Sequence, residues 1–242
     1  MARREPISDP AAYWSSGPGQ AKAEKWARAA RRKIRIWRLT IALSEALKRL
    51  LDILGSLVAL VIFSPIFAVT AALIKLEDRG PVFFRQIRIG RNGLPFGMYK
   101  FRSMVVNADK IKEQLSEDNQ HSDGVTFKMK NDPRITQVGR TIRKLSVDEF
   151  PQFYNVLRGD MSLVGPRPPV PREVACYRSA HIRRLTVKPG ITCLWQIGGR
   201  SDIDFEGQVR LDLQYIRSES IWQDVKILLL TVPAVLMGKG AY

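Results

Sequence analysis

Asp148 and Glu149 are adjacent carboxylates with Arg140, Arg143 and Lys144 just upstream, a pattern from which phosphoryl chemistry can be built. An ionised Asp that attacks phosphorus forms an acyl phosphate and splits a group transfer into two steps. Glu149 beside it would hold a hard divalent cation, since Mg²⁺ is usually bound through one or two carboxylates together with substrate phosphates. A helix N-terminus and the neighbouring arginines would keep Asp148 ionised and attract phosphate. The same residues also fit an architectural reading. Ser146-x-x-Glu149 matches a capping box, in which the hydroxyl and the carboxylate each satisfy an orphan backbone N–H, although Pro151 complicates the cap position.

Arg167 is the second candidate. It sits in Pro166-Arg167-Pro168-Pro169, where ring-locked φ angles present a guanidinium at little entropic cost, and its fork geometry suits a diphosphate. The competing reading is a proline-rich surface loop. Lys100, Asp212 and Asp224, taken singly, read as ordinary solvent-facing charges on a strand end and on helices. His121 and His181 are the only histidines, which leaves no basis for a multi-histidine metal site. Cys176 and Cys193 lack both C-x-x-C and zinc spacing, which suits a reducing compartment and provides no disulfide framework.

The elements that must position these residues begin with an uncharged run of 21 residues, Leu54 to Ile74, carrying Ser64-Pro65 at its midpoint. Its length meets the lower limit for crossing about 30 Å of hydrocarbon. Lys48 and Arg49 precede it and Lys75, Arg79, Arg85, Arg88 and Arg91 follow, so both flanks favour the cytoplasmic side. Pro65 breaks the helical hydrogen-bond ladder, and the Ser64 hydroxyl can bond a freed carbonyl. A broken helix that enters the bilayer and returns to the same face satisfies both observations; a single span with a tolerated proline is the alternative. The run starts too late and lacks the cleavage site of a secretory signal peptide.

The formal net charge is +16, and the first 49 residues hold 12 basic and 4 acidic groups, so half of the excess sits in a fifth of the chain. Residues 1–22 carry no periodic apolar pattern and read as disordered. From 23 to 49, Trp26, Ala30, Ile34, Trp37 and Ile41 recur at helical spacing against a row of arginines, the pattern of a basic amphipathic helix on anionic lipid. A nucleic-acid arm is the competing use of this charge. Residues 50–75 form the membrane helix, and 76–242 hold one globular domain. In that domain Val82–Ile89 and Leu94–Phe101 flank Gly90-Arg91-Asn92-Gly93, a hairpin signature. Residues 103–120 have helical character and 119–123 read as a loop. An apolar stretch after Glu149, stopped by Arg158-Gly159-Asp160, predicts a helix, as does 204–218. Gly165–Pro169 and Lys188-Pro189-Gly190 read as rigid loops. Ile221–Met237 is apolar but interrupted by Asp224, Lys226 and Pro233, so it would lie at an interface or pack on the domain.

Taken together, several stretches resemble the bacterial sugar transferases, the monotopic polyprenyl-phosphate phosphoglycosyl transferases. They are Ser64-Pro65 in its apolar run, Gly80-Pro81-Val82-Phe83-Phe84-Arg85-Gln86, Tyr99-Lys100-Phe101-Arg102-Ser103-Met104, Asp148-Glu149-Phe150-Pro151-Gln152, Asn155 through Pro168, and Lys188-Pro189-Gly190-Ile191-Thr192. The likeness runs in order from about Lys48 to Pro233. It implies an α+β fold, mostly helical with a small β-hairpin, one re-entrant membrane helix broken at Ser64-Pro65, interfacial amphipathic helices, and a catalytic domain on the cytoplasmic face of the bacterial inner membrane.

The resemblance further implies transfer of a sugar-1-phosphate from a UDP-sugar to polyprenyl (undecaprenyl) phosphate, with Mg²⁺ and release of UMP. Asp148 would be the nucleophile and Glu149 a metal-binding partner. Lys100, Arg143, Arg167, Arg200, Asp212 and Asp224 fall at family positions of polar active-site or nucleotide-binding residues. Membrane lipid is the expected neighbour, nucleic acid is not expected as a partner, and a homodimer stays open. Cys193, where many members have Gly, and Arg79, in a segment often Gly or small, are the departures. The chain resembles the minimal form of the family, lacking the four-helix bundle of larger members.

Overall fold

A computed structural model describes residues 17–108, 132–199 and 203–237. The chain divides into two compact units, Met1–Leu47 and Lys48–Tyr242. A long helix, α1 (Gly17–Ile62), is followed after Phe63 by α2 (Ser64–Asp78). Residues 17–22 are thus helical, and the rest of the segment expected to be disordered lies outside the described residues. In the first unit the side chains along α1 are solvent-facing, with Trp26 and Trp37 both well exposed.

The break in the apolar run falls at the expected dipeptide. Pro65 occupies the first turn of α2, where its missing N–H costs nothing. The Ser64 hydroxyl donates to the Val61 carbonyl at 2.8 Å. The two helices are bent by 59°; no single described helix is long and apolar enough to cross a membrane, and the bent pair passes that test only by length and composition.

In the second unit α1 docks through one polar face. Lys48 Nζ reaches Asp224 Oδ2 at 2.5 Å, the Tyr215 hydroxyl at 3.0 Å and the Val164 carbonyl at 3.2 Å. One turn on, Asp52 Oδ1 accepts from Ser162 Oγ and Leu163 N, each at 2.9 Å. Between them Arg49 donates to the carbonyls of Val156 and Leu157 at 2.6 and 2.7 Å.

The hairpin forms as β1 (Phe83–Ile89) and β2 (Pro95–Phe101), antiparallel with Phe83 opposite Phe101 and Ile89 opposite Pro95. Asn92 and Gly93 take the left-handed conformation, at φ 59° and 77°, as an Asn-Gly pair permits. The connection is nevertheless a five-residue loop, 90–94, because Gly90 N donates to the Leu94 carbonyl. α3 (Gln137–Lys144) is capped by Thr136 Oγ1, which accepts from Gly139 N at 2.9 Å. Its N-terminus is also held from α2, where Glu77 Oε1 accepts from Gln137 N at 2.8 Å.

After a 3-10 turn at Val147–Glu149 comes α4 (Gln152–Arg158), stopped by Gly159 at φ 96°. The sequence had suggested one small sheet; a second exists. β3 (Ser162–Val164) pairs in parallel with β4 (Gly190–Thr192), and a Cβ on Gly190 would stand 2.0 Å from Gly165 N, so these two strand ends meet only because both residues are Gly. Short helices α5 (Pro171–Ala175), α6 (Ser179–Ile182) and α7 (Leu194–Gly198) intervene before α8 (Phe205–Arg217) and α9 (Ile221–Met237). Asp204 caps α8, accepting from Gly207 N. α9 packs on the domain through buried Asp224 and Ile227, while Trp222, Leu229 and Val232 stay exposed. The expected helix at 103–120 and loop at 119–123 fall largely in 109–131, outside the described residues.

Two apolar clusters hold this unit. One gathers Met98, Val156, Met161, Leu163, Val164, Tyr215 and Ile227 around the parallel pair. The other joins Ile74 of α2 to Phe101, Ile142 and Val147, so the residue before Asp148 is pinned to the apolar hairpin of helices.

Candidate active site

Asp148 and Glu149 are carried on a turn that the sequence pattern described only in part. No capping box forms. Ser146 lies in the left-handed region at φ 56° and its side chain caps nothing, because the reversal between α3 and α4 needs that backbone angle and takes Ser146 out of cap geometry. Such an angle costs a non-Gly residue about 1–3 kcal/mol and persists only when surrounding structure enforces it. Here Ile142 and Val147, buried on either side, do so.

The turn opens on a cleft of about 420 Å³ lined by Arg88, Lys100, Arg143, Asp148, Glu149 and Arg167 among its polar groups, four cations to two carboxylates. Lys100, near the end of β2, places Nζ 2.6 Å from Glu149 Oε1 and 3.8 Å from Asp148 Oδ2. Arg143 comes from the last turn of α3. Arg167 projects from the proline loop, with Nη1 3.5 Å from Glu173 Oε1; Glu173 in turn accepts from Val170 N at 3.0 Å.

α4 is docked against β2 by Asn155, which is fully buried. Its Oδ1 accepts from Tyr99 N at 2.9 Å and its Nδ2 donates to the Gly97 carbonyl at 2.8 Å. One side chain thus mimics a strand neighbour on either side of Met98, and the chain following the dyad is fixed in register with the strand that supplies Lys100.

The electrostatics separate the two carboxylates. Burial raises the Asp148 pKa to about 6, with Glu149 adding to the rise and Lys100 and Arg143 opposing it. Loss of solvation is thus a larger effect than the cations that the sequence placed beside Asp148, and a value of about 6 still leaves the carboxylate mostly ionised at neutral pH. Burial acts to raise Glu149 too, but its direct contact with Lys100 overcomes that and holds it below the usual range. Two adjacent carboxylates with pKa values pushed apart suit two different roles.

Arg88 is a cleft residue that sequence reasoning missed. It is buried, donates to the Pro168 carbonyl at 2.9 Å and to Gln86 Oε1, and burial lowers its pKa to about 10, with Arg167 adding to the fall. A cation between Ile87 and Ile89, on the strand face shared with Gln86, was the available signal. Phe150 and Gln152, which also line the cleft, lie in a stretch that carries the resemblance, whereas Phe153, Trp195 and Gln196 gave no signal.

Asp212 and Asp224 do not line the cleft and are not solvent-facing; each is 1% exposed. Asp212 pairs with buried Arg184; burial pushes its pKa up to about 6 against the pull of Arg184. Asp224 pairs with Lys48 and accepts from the Tyr215 hydroxyl at 2.7 Å. Arg200 lies outside the described residues. Ser64 and Pro65 are at the helix bend, away from the carboxylates in sequence but joined to them by packing, since Phe63 stacks on Phe150 with ring centroids 4.5 Å apart.

Among the described residues no group of three or more His, Cys, Asp or Glu side chains gathers. The carboxylate pair is instead suited to a hard cation that takes its other ligands from water and substrate phosphates.

The family model for bacterial sugar transferases matches residues 43–238. The chain is 54% identical over 195 residues to the galactosyl transferase CpsE of Streptococcus agalactiae serotype III, covering 80% of this chain and 43% of that protein. It is 44% identical over 198 residues to the exopolysaccharide production protein ExoY of Rhizobium meliloti, covering 81% of this chain and 88% of the relative. It is also 44% identical over 202 residues to the undecaprenyl-phosphate galactose phosphotransferase of Salmonella typhimurium, covering 82% and 42%. The chain thus spans less than half the length of the first and third of these.

Proposed function

We propose that this chain, which belongs to the bacterial sugar transferase family, is a phosphoglycosyl transferase that moves a sugar-1-phosphate from a UDP-sugar to undecaprenyl phosphate. The names of its relatives, an undecaprenyl-phosphate galactose phosphotransferase and an exopolysaccharide production protein among them, support that reaction class. The observation that carries the reading is the cleft in which Asp148 and Glu149, with separated proton affinities, face Lys100, Arg143, Arg167 and Arg88.

In the first step an Asp148 oxygen attacks the sugar-bearing phosphorus of the donor. A P–O bond forms to Asp148 as the bond to the UMP oxygen breaks, and UMP leaves with the electron pair. In the second, an oxygen of the lipid phosphate attacks the same phosphorus. The Asp148–P bond breaks, polyprenyl-diphosphate-sugar forms, and the carboxylate is restored. Partial burial makes Asp148 a better nucleophile than a fully hydrated carboxylate, while a pKa of about 6 leaves it mostly ionised at neutral pH. Lys100, Arg143 and Arg167 offset the charge of two phosphate substrates and of the transition state. Mg²⁺, held by Glu149 with substrate phosphate oxygens, would supply further charge neutralisation at the diphosphate.

The bent helix pair supports a re-entrant anchor, with the domain at the cytoplasmic face of the inner membrane and α1 lying on anionic lipid. A long isoprenoid phosphate cannot leave the bilayer and a nucleotide sugar cannot enter it, so the chemistry belongs at their boundary. The test is release of UMP from a panel of UDP-sugars by the full chain in detergent, with and without undecaprenyl phosphate and Mg²⁺. Turnover dependent on lipid and metal is expected. Failure with every donor by folded protein would overturn the proposal.

A further inference from the structure

The cleft has two chemically distinct sides. Its cations, Arg88, Lys100, Arg143 and Arg167, surround the carboxylates. Phe150 and Phe153, which also line it, belong to an aromatic series that leads to the helix bend. Phe63 packs on both, with centroids at 4.5 Å from Phe150 and 6.3 Å from Phe153, and Phe150 lies 6.1 Å from Phe153. In the chain around Phe63 the bend exposes Val61, Ile62, Ile66 and Val69, each at least 40% accessible. Apolar side chains thus lead from the exposed bend, through Phe63, to the ring of Phe150, the residue that follows Glu149 in the chain.

A ligand that fills both sides must carry an anionic group joined directly to an apolar chain, with no polar spacer, because Phe150 adjoins the dyad in sequence. A nucleotide does not meet this description; a phosphate ester of a hydrocarbon does. We propose that Phe63, Phe150 and Phe153 form the wall that receives the first units of the acceptor's hydrocarbon chain, fixing where its phosphate enters. This rests on the reading of the protein as a transferase to a lipid phosphate. Phe63 would then serve twice, as the pivot of the bend and as the floor beneath the acceptor, so the membrane hairpin itself helps define the acceptor site.

The experiment uses the full chain in detergent and reads three quantities. The first is the stoichiometric burst of UMP without acceptor, the second the KM for undecaprenyl phosphate, and the third the inhibition constant of water-soluble geranyl phosphate against it. In Phe153→Ala and the milder Phe153→Leu and Phe150→Leu, the proposal expects weaker geranyl phosphate inhibition, by about tenfold for the Ala change, the loss expected on removing an aromatic contact to an apolar group. The undecaprenyl phosphate KM should rise by a similar factor while the burst and donor KM stay within about twofold in the Leu variants. A rise for the long acceptor alone, with geranyl phosphate unaffected, would mean that these rings serve membrane docking and would overturn the proposal. Loss of the burst in the Leu variants would make the rings structural and would also overturn it. A wild-type protein that gives no burst with any donor brings down the transferase reading itself, and is distinguished by failing before any variant is compared.

Discussion

The Lys48 ammonium lies 2.5 Å from the Asp224 carboxylate, across a sequence separation of 176 residues. The pair joins the end of α1 that leads into the apolar run to the first turn of α9, and the Tyr215 hydroxyl completes the carboxylate's partners. Removing one member of a buried pair leaves the other charge uncompensated, which typically costs about 3–5 kcal/mol. Asp224→Ala should therefore lower the unfolding free energy by about that amount, and Tyr215→Phe by about 1 kcal/mol. Denaturant titration in detergent measures both. If Asp224→Ala instead leaves stability unchanged but raises donor KM, Asp224 is a ligand and not a clamp.

Asp148 should impose an acidic limb near pH 6 on kcat/KM for the donor, falling about tenfold per pH unit below it. The basis is its buried carboxyl, raised to about 6, while Glu149 stays ionised to lower pH. A limb near pH 4 would show that the nucleophile titrates as a solvated carboxylate.

The same shift fixes the stability of Asp148→Asn. With a folded pKa above the ordinary 3.8, Asp148 favours folding most below about pH 4, and that contribution is lost as pH rises through about 6. At pH 7.5 the ionised, desolvated carboxylate is a net cost, so its neutral isostere should be inactive yet more stable than wild type, by at most about 3 kcal/mol. A thermal melt reads this directly. An inactive variant that is also strongly destabilised would assign the residue a structural role.

Much of this architecture was legible because its signals are local. Asn92-Gly93 marked the hairpin, Ser64-Pro65 the bend with its Ser64 to Val61 bond, and Asp204 the start of α8. Asp148, Glu149, Lys100, Arg143 and Arg167 do converge on one cleft. The parts that were not legible depend on long-range packing. β3 and β4 are three residues each and lie far apart in sequence, too short to show a period. Arg88 read only as a basic flank of the apolar run and Asp224 as a solvent-facing charge, because nothing near them in sequence announces the Pro168 carbonyl or Lys48. The capping box at Ser146 failed because a motif match cannot report a left-handed φ.

Lys100→Met should reduce donor kcat/KM at least 100-fold and move the acidic limb to higher pH. Lys100 is the principal cation opposing the burial of both carboxylates, and a positioned electrostatic group of this kind is worth about 10²–10³ in rate. A comparable loss with no movement of the limb would place Lys100 on substrate phosphate alone.

Pro65→Ala should straighten the helix pair by restoring the backbone donor and removing the ring clash. Phe63 would leave Phe150, and a cysteine introduced near position 20 would change its accessibility in intact cells. Wild type should show that position on the same side as the catalytic domain; labelling from the opposite side would establish a true span.

Covalent capture of the sugar phosphate by Asp148, as proposed, can be trapped directly. Wild-type protein should be incubated with a radiolabelled UDP-sugar and Mg²⁺ without lipid acceptor, quenched in acid, digested and mapped by mass spectrometry. One equivalent of UMP should be released and a phosphosugar should appear on the peptide containing Asp148. The label should be discharged by undecaprenyl phosphate and be absent in Asp148→Asn. UMP release that requires the lipid acceptor in the first turnover, with no label on that peptide, would contradict covalent capture by Asp148.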